Sequence, residues 1–374
     1  MSRWSRVIRD LPVPVFAASG ADAWDAVQEL RARPDVRLVP SPRHASVLLI
    51  AGTVPEEHVT ALRRVHDQIP HPRTAIAWRA AGAAAEIPVR ADIAGATADV
   101  ATALRDAFGK VLDDPSTSAD DLLVDEDPNE WRGVGPFGQG GEGMMGGTPY
   151  GRPMAMTADD RDGLALDELQ LTLGPFLDAF PAGLVLDIAM QGEVVTSVAL
   201  RDRPVMEPDA VQPFGDHAVG GGRASARRGL RWLSSALHVQ GLDALAARAA
   251  LLATAIGDGA EDAAVARDVR RLERRVERSG VLRALSGVGL VGGALPHWAE
   301  HLRGDAGQRW RRRLAAIGAA LRDGSLQPAL AGVVVDPDSD LLERVLVGAT
   351  LTDAVATITS LDLRIPQFRE AAPT

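Results

Sequence analysis

The chain of 374 residues contains no cysteine, and this absence removes a whole class of redox chemistry. Iron–sulfur clusters and thiolate-bound zinc are held by cysteine, and cysteine is also the nucleophile of thiol enzymes. None of these functions is available to this sequence. Disulfide bonds within the chain are excluded for the same reason.

Lysine is nearly absent too, because 39 of the 40 basic residues are arginine and Lys110 is the single lysine. Lys110 stands in the sequence FGKV, which lacks the glycine spacing and the Ser or Thr of a Walker A loop. A Schiff-base lysine at any other position is excluded. The net charge of −10 argues against a nucleic-acid partner, since phosphate binding requires a cationic face.

Long apolar runs are also missing. The longest weakly polar segment, VLRALSGVGLVGGALPHWAEHL, is rich in glycine and is broken by Pro296. It falls short of the roughly 18 consecutive apolar residues that a membrane span needs. The N-terminal MSRWSRVIRDLPVPVF carries charges and lacks the apolar core of a signal peptide. We therefore expect a cytoplasmic protein without a direct membrane span.

What the sequence does contain is, first, an N-terminal segment of alternating strands and helices. Short apolar runs typical of a buried parallel sheet occur at 13–19, 36–39, 46–52 and 73–78. The intervening sequences DAWDAVQELRA and EEHVTALRRVHDQI have helical periodicity. Residues 1–112 are therefore predicted to form an α/β domain, with a parallel sheet and flavodoxin-like layering.

Residues 113–160 change in composition and predict a linker. Eight acidic residues and no basic ones occur from Asp113 to Glu130, and nine glycines occur in 133–151. The sequence GVGPFG (133–138) matches the dinucleotide-binding pattern literally. It follows no strand and no helix begins after it, so the linker interpretation is favoured. A second match, GVGLVG (287–292), follows a helical segment and is interpreted as a loop.

The second domain, residues 161–374, is predicted to be α+β and mainly helical, with an N-terminal β-hairpin. The hairpin is indicated by GLVLDIAM and EVVTSVAL, with Gly192 in the turn between them. From Ser225 onward apolar residues recur at helical spacing. Gly241 and Gly280 mark the ends of two of these helices.

Histidines supply one candidate metal-binding pattern. HWAEH (297–301) fits the H-x-x-E-H arrangement of some zinc proteases, with His297 and His301 on one helix face beside Glu300. The third ligand would be Glu370, which lies in a Pro-containing tail, so an ordinary exposed helix is favoured over a zinc hydrolase. His58, His66 and His71 are too widely spaced for easy chelation, and solvated positions are favoured for them.

One stretch of the first domain resembles a known family. RHASVLLIAGTV followed by ALRRVHDQIPHPRTAIAW is similar to the cluster-bearing B-type subunit of complex I, a relative of hydrogenase small subunits. The resemblance covers about residues 10–110. It implies cysteine ligands just after the first strand and after later strands. The corresponding segments here, FAASGADAW (16–24) and AWRAAGA (77–83), contain no ligand.

The second domain resembles the large subunits of nickel–iron hydrogenases and their D-type relative in complex I, over about residues 165–365. The similar segments are LGPFLDAFPAGLVLDIAMQGEVVTSV, RVERSGVLRALSGVGLV and LVGATLTDAVATITSLD. Nickel-binding relatives carry two C-x-x-C pairs. Here SLDLRIPQF has Asp362, Leu363 and Arg364 instead, so nickel binding is excluded. Complex I has quinone-site histidines shortly after the Gly-Pro, where this chain has Phe176 and Asp178.

The two resemblances imply a fusion of two subunits that has lost every cluster and nickel ligand. The expected function is that of a non-catalytic subunit of a complex I-like or membrane-bound hydrogenase-like assembly. It would dock to membrane-embedded proton-conducting or antiporter-like subunits. These partner subunits would hold it at the inner face of the cell membrane. No catalytic, cofactor-binding or metal-binding residue is assigned, and no cofactor is expected. The alternatives are an oxidoreductase subunit binding quinone or another small apolar ligand in a remnant cavity, and a zinc hydrolase at His297, Glu300 and His301.

Overall fold

A computed structural model describes residues 11–20, 22–123, 156–159, 165–201, 221–292, 297–330, 333–334 and 340–364. The literal GVGPFG match and Glu370 lie outside these residues. GVGLVG lies within them and forms a turn that ends in an isolated bridge between Val291 and Gly304, as expected for a loop.

The N-terminal part contains a sheet of five parallel strands in the order β2-β1-β3-β4-β5. This is one of the two common orders of doubly wound α/β folds. All eight residues of β3 are buried, because this central strand is covered on both faces. The strands are β1 (Val13–Ser19), β2 (Val36–Leu38), β3 (Val47–Val54), β4 (Thr74–Gly82) and β5 (Asp92–Ile93).

Helices cover both faces of this sheet, as the alternation of strands and helices predicted. Helices α1 (Trp24–Glu29) and α3 (Thr97–Asp113) pack on one face, and α2 (Val59–Gln68) packs on the other. Successive residues of β3 point to opposite faces and join two separate apolar clusters. The α/β prediction for this part is confirmed.

A second, antiparallel sheet begins the C-terminal part, with strand order β6-β7-β8-β9. The predicted hairpin is present, and Gly192 takes a φ of +58° in its two-residue turn. The strand before the hairpin was not predicted, although Leu169, Leu171 and Leu173 alternate with polar residues in its second half. The strands are β6 (Met156–Asp159), β7 (Ala165–Leu173), β8 (Leu186–Gln191) and β9 (Val194–Leu200).

The rest of the C-terminal part is mainly helical, as predicted. Gly241 follows α4 and Gly280 precedes α7, and both adopt positive φ angles, +71° and +84°, that favour glycine at such positions. The elements are α4 (Gly221–Val239), α5 (Asp243–Gly257), α6 (Asp262–Arg278), α7 (Val281–Ala284), α8 (Ala306–Asp323), α9 (Leu341–Leu346), α10 (Leu351–Leu361), β10 (Val333–Val334) and β11 (Leu363–Arg364).

The helical core centres on two tryptophans. Trp232 of α4 and Trp310 of α8 pack edge to face with ring centroids 5.3 Å apart, and the guanidinium of Arg313 lies 4.6 Å above the Trp232 ring. Arg313 also pairs with Asp362 at 2.8 Å. Within the described ranges, no helix has both the length and the apolar character that crossing a membrane requires.

Candidate functional site at the interface between the two parts

The N-terminal sheet domain packs directly against the helical part. Helix α1 contacts α4 and α5, and the 3-10 turn after α1, residues Leu30–Ala32, contacts α5. These elements carry charged side chains that are removed from solvent by the contact. The interface between the two parts therefore contains buried charged side chains, which form two ionic groups.

Glu29 at the end of α1 is the first of these groups. Its side chain is 8% exposed, and one carboxylate oxygen accepts hydrogen bonds from two arginines of α4. Arg227 donates through Nη2 at 2.7 Å, and Arg231 donates through Nε at 2.8 Å. Gly257 at the end of α5 lies against the Arg227 guanidinium, where a Cβ would collide with it. We call Glu29, Arg227 and Arg231 the Glu29 cluster.

Asp178 forms a second ionic group in the loop between β7 and β8. Nη2 of Arg31 donates to both of its oxygens, at 2.9 and 3.1 Å, and Nε2 of His238 lies 2.9 Å from Oδ2. Burial acts to raise the pKa of Asp178, but the charge of Arg31 and the hydrogen bond from His238 outweigh it and lower this pKa to about 2. The carboxylate is therefore ionised at any physiological pH.

His238 connects this aspartate to a second carboxylate. Its Nδ1 lies 2.6 Å from Oδ1 of Asp243, at the start of α5. Both ring nitrogens thus face carboxylate oxygens, and both donate only when the ring carries two protons. Arg31, Asp178, His238 and Asp243, which we call the Asp178 cluster, form a chain of hydrogen bonds across the interface.

Two cavities lie on either side of the loop that carries Asp178. The first has a volume of about 830 Å³ and is lined by Asp178, His238 and apolar side chains that include Leu38 and Val355. The second, about 820 Å³, lies between α2 and the segment 174–177, and we call it the His58 cavity. Cavities of this size accommodate small organic molecules.

His58 lies in the wall of the second cavity, with its Nε2 buried against the surrounding side chains. The residue is 9% exposed, and its Nε2 has no hydrogen-bond partner among the described residues. Its ring packs edge to face against Phe176 with centroids 6.3 Å apart. Burial lowers the pKa of His58, although the charge of Glu57 opposes the shift. A neutral imidazole thus lies in the cavity wall, and its Nε2 would reach a bound molecule after a rotation of the ring.

The expectation of solvated histidines was wrong for His58 and His66. His66 is 1% exposed, and its Nδ1 lies 2.7 Å from Asp67. Burial also lowers the pKa of His66. His71, in contrast, is exposed as expected and contacts Ser118. Helical spacing located the helix, but the loop that contains Phe176, more than 100 residues away, covers its first turn.

The segments where the complex I resemblance implies cluster ligands lie at one edge of the parallel sheet. Residues 16–24 end β1 and residues 77–83 end β4, and the carboxyl ends of parallel strands share an edge. Here Asp22 bridges to the end of β3, accepting hydrogen bonds from the backbone N–H and the hydroxyl of Thr53 at 3.0 and 3.1 Å. A Cβ on Gly52 would collide with this carboxylate. The edge is therefore closed by the chain itself.

No protein-family model matches this chain, and no curated protein shows a significant sequence match to it. The family resemblance rests on motifs.

The H-x-x-E-H segment does not form the α-helix on which a zinc site was considered. His297–Leu302 is a 3-10 helix, which has three residues per turn instead of the 3.6 that the H-x-x-E-H spacing requires. Glu300 instead pairs with Arg303 at 3.0 Å. Across the described ranges, no three His, Asp or Glu side chains converge as metal ligands.

Asp362, the aspartate that the hydrogenase resemblance singled out, has a structural contact here. It is 7% exposed, takes a φ of +53°, and pairs with Arg313 of α8. Leu363 next to it is buried in the second apolar cluster of the C-terminal part. The segment therefore anchors the end of α10 to the helical core.

Proposed function

We propose that this chain is a non-catalytic module of a complex I-like or membrane-bound hydrogenase-like assembly, and that it holds no iron–sulfur cluster. Its task would be to dock to membrane-embedded, proton-conducting or antiporter-like subunits at the inner face of the cell membrane. The observation that carries the proposal is the interface between the two parts. Buried ion pairs hold that interface, whereas the segments expected to bear redox ligands carry none.

Two features support a structural rather than a catalytic role. The Glu29 cluster and the Asp178 cluster link residues about 150 to 200 positions apart, so the two parts are fixed relative to each other. At the edge of the sheet, the Asp22–Thr53 contact occupies the place where doubly wound folds accept ligands. A scaffold protein needs a fixed interface and does not need a ligand site at the edge of its sheet, and both features fit this chain.

Purification from the membranes of the native host tests the docking proposal. After mild solubilisation, we expect the tagged protein to co-purify with antiporter-like membrane subunits, identified by mass spectrometry at near-stoichiometric amounts. The matched control is the Asp178→Asn variant, which weakens the interface and is expected to recover less of the complex. Recovery of the wild-type protein alone, in the soluble fraction, would contradict the proposal.

A second candidate function is supported by the His58 cavity. In this reading, the chain is an oxidoreductase subunit that binds a quinone or another small apolar ligand there. Phe16, Phe176 and Val65 provide apolar walls, and the buried Nε2 of His58 would provide a hydrogen bond once its ring turns toward the ligand. The motif comparison found no histidine beside Asp178, but the fold brings His58 to the same loop from the other domain.

Replacement of His58 by leucine tests ligand binding. This change preserves an apolar wall and removes the only hydrogen bond argued for the ligand, so we expect affinity for a short-chain quinone to fall about tenfold. Tryptophan fluorescence during titration measures the affinity. His71→Leu is the matched control, since this exposed ring lies outside the cavity. Equal affinity of His58→Leu and wild type would rule out the assigned contact.

A further inference from the structure

A strongly cationic surface lies on α6, far in sequence from both clusters described above. From Arg267 to Arg283 the chain carries seven arginines and three acidic residues, a net charge of +4 in a protein whose total is −10. All seven arginines are exposed. They are Arg267, Arg270, Arg271, Arg274, Arg275, Arg278 and, just beyond the helix, Arg283.

The arginines on α6 are confined to one side of the helix. At 100° per residue, the six helical arginines span an arc of about 140°. Val265, Val269, Leu272 and Val276 lie opposite this arc and are buried in the helical core. The apolar side of α6 is thus fully used by the fold. We call the outward arc, Arg267 to Arg278, the arginine face.

Neighbouring acidic groups leave most of this charge uncompensated. Arg271 pairs with Asp268 at 2.7 Å, but the other arginines of the face form no hydrogen bond or ion pair with described residues. Asp268 is shared, because Arg248 of α5 also binds it. Each arginine of the face lies three or four residues from another, and like charges at these spacings destabilise a helix. An external anion would relieve this repulsion.

We propose that the arginine face docks directly on an anionic phospholipid surface, with the guanidinium groups binding headgroup phosphates. Arginine suits this role because its planar fork of donors matches phosphate oxygens. The helix is 17 residues long and presents about 25 Å of cationic surface, enough to contact several headgroups. The contact requires no partner subunit and therefore goes beyond the function proposed above.

The composition of the face favours a lipid surface over a folded protein. Stable protein interfaces have an apolar centre that excludes water. The apolar residues of α6 are turned inward, and the arginine face offers only charged groups. A nucleic acid is disfavoured by the total charge of −10, which would repel a long polyanion outside this strip. A hydrated, anionic membrane surface needs neither an apolar centre nor a groove.

Vesicle sedimentation with the full chain tests the proposal. We expect binding to phosphatidylglycerol vesicles, no binding to phosphatidylcholine vesicles, and a steep loss of binding as the salt concentration rises. Each arginine near an anionic surface strengthens partitioning roughly fivefold. The variant R270Q/R271Q/R274Q/R278Q should therefore bind several hundredfold more weakly. Because these side chains are exposed and repel one another, its urea midpoint should equal or exceed that of the wild type.

The matched control removes the same charge from dispersed exposed positions, in the variant R43Q/R105Q/R303Q/R344Q. It should bind phosphatidylglycerol vesicles within a fewfold of wild type. Equal loss in both variants would overturn the proposal, because net charge rather than the face would then govern binding. Failure of the wild type to bind anionic vesicles at low salt would also overturn it. Binding of polyglutamate or heparin without vesicle binding would reject the lipid assignment.

Discussion

Replacing Glu29 by glutamine is expected to lower the free energy of unfolding by about 3 kcal/mol or more. The change removes the charge that one carboxylate oxygen shares with Arg227 and Arg231, while all three side chains are at most 12% exposed. Two guanidinium groups then stay at the interface without this counter-charge. Urea unfolding followed by tryptophan fluorescence measures the change in midpoint.

Glu86→Gln provides the control for the Glu29 substitution. Glu86 also accepts a hydrogen bond from an arginine, Arg63, but its side chain is 50% exposed. Exposed pairs of this kind contribute about 0–1 kcal/mol, so little change is expected. A double-mutant cycle with Arg231→Met should show coupling above about 1 kcal/mol. A loss at Glu29 no greater than at Glu86 would mean that the buried cluster does not stabilise the interface.

The fold of the N-terminal part followed from local patterns because each strand and helix there has its own signature. The β3 run SVLLIAG is wholly apolar, and Val59, Leu62 and Val65 repeat at helical spacing in α2. Helix ends at Gly241 and Gly280 were predictable for a similar reason, because positive φ angles favour glycine. β7 was missed although Leu169, Leu171 and Leu173 alternate with polar residues, a pattern typical of a strand with one apolar face.

The candidate site was less accessible to sequence reasoning, because its partners are distant along the chain. Glu29 and Arg227 are 198 residues apart, and Arg31 and Asp178 are 147 apart. Charged residues have no periodicity that identifies such a partner. His58 illustrates the same difficulty, since its burial depends on the loop that bears Phe176. The loop motif GPFLDAFPAG drew attention to the right segment, but its contacts are completed by Arg31 from the 3-10 turn after α1, His58 just before α2 and His238 from α4.

The loop that carries Asp178 has a structural role in the module that we propose. Asp178 lies in the Gly-Pro segment where the resemblance implied a quinone-site histidine, and the fold uses it to bind Arg31 and His238. The position that the motif resemblance associates with chemistry thus holds the two parts together here. Stability measurements at this aspartate therefore test the structural role.

Asp178→Asn should lower the free energy of unfolding at pH 7 by about 2 kcal/mol, because the native pKa is depressed from 3.8 to about 2. A depressed carboxyl pKa stabilises the fold above its unfolded value, near pH 4, and this contribution is lost as the pH falls through about 2. The wild type should therefore lose its advantage over Asp178→Asn between about pH 4 and pH 2. Urea unfolding at a series of pH values measures both curves, with Asp340→Asn as the control, since Asp340 is 64% exposed in its pair with Arg344. Parallel curves for wild type and Asp178→Asn down to pH 2 would show that Asp178 is not held ionised by the interface, and the structural role of the Asp178 cluster would fail with it.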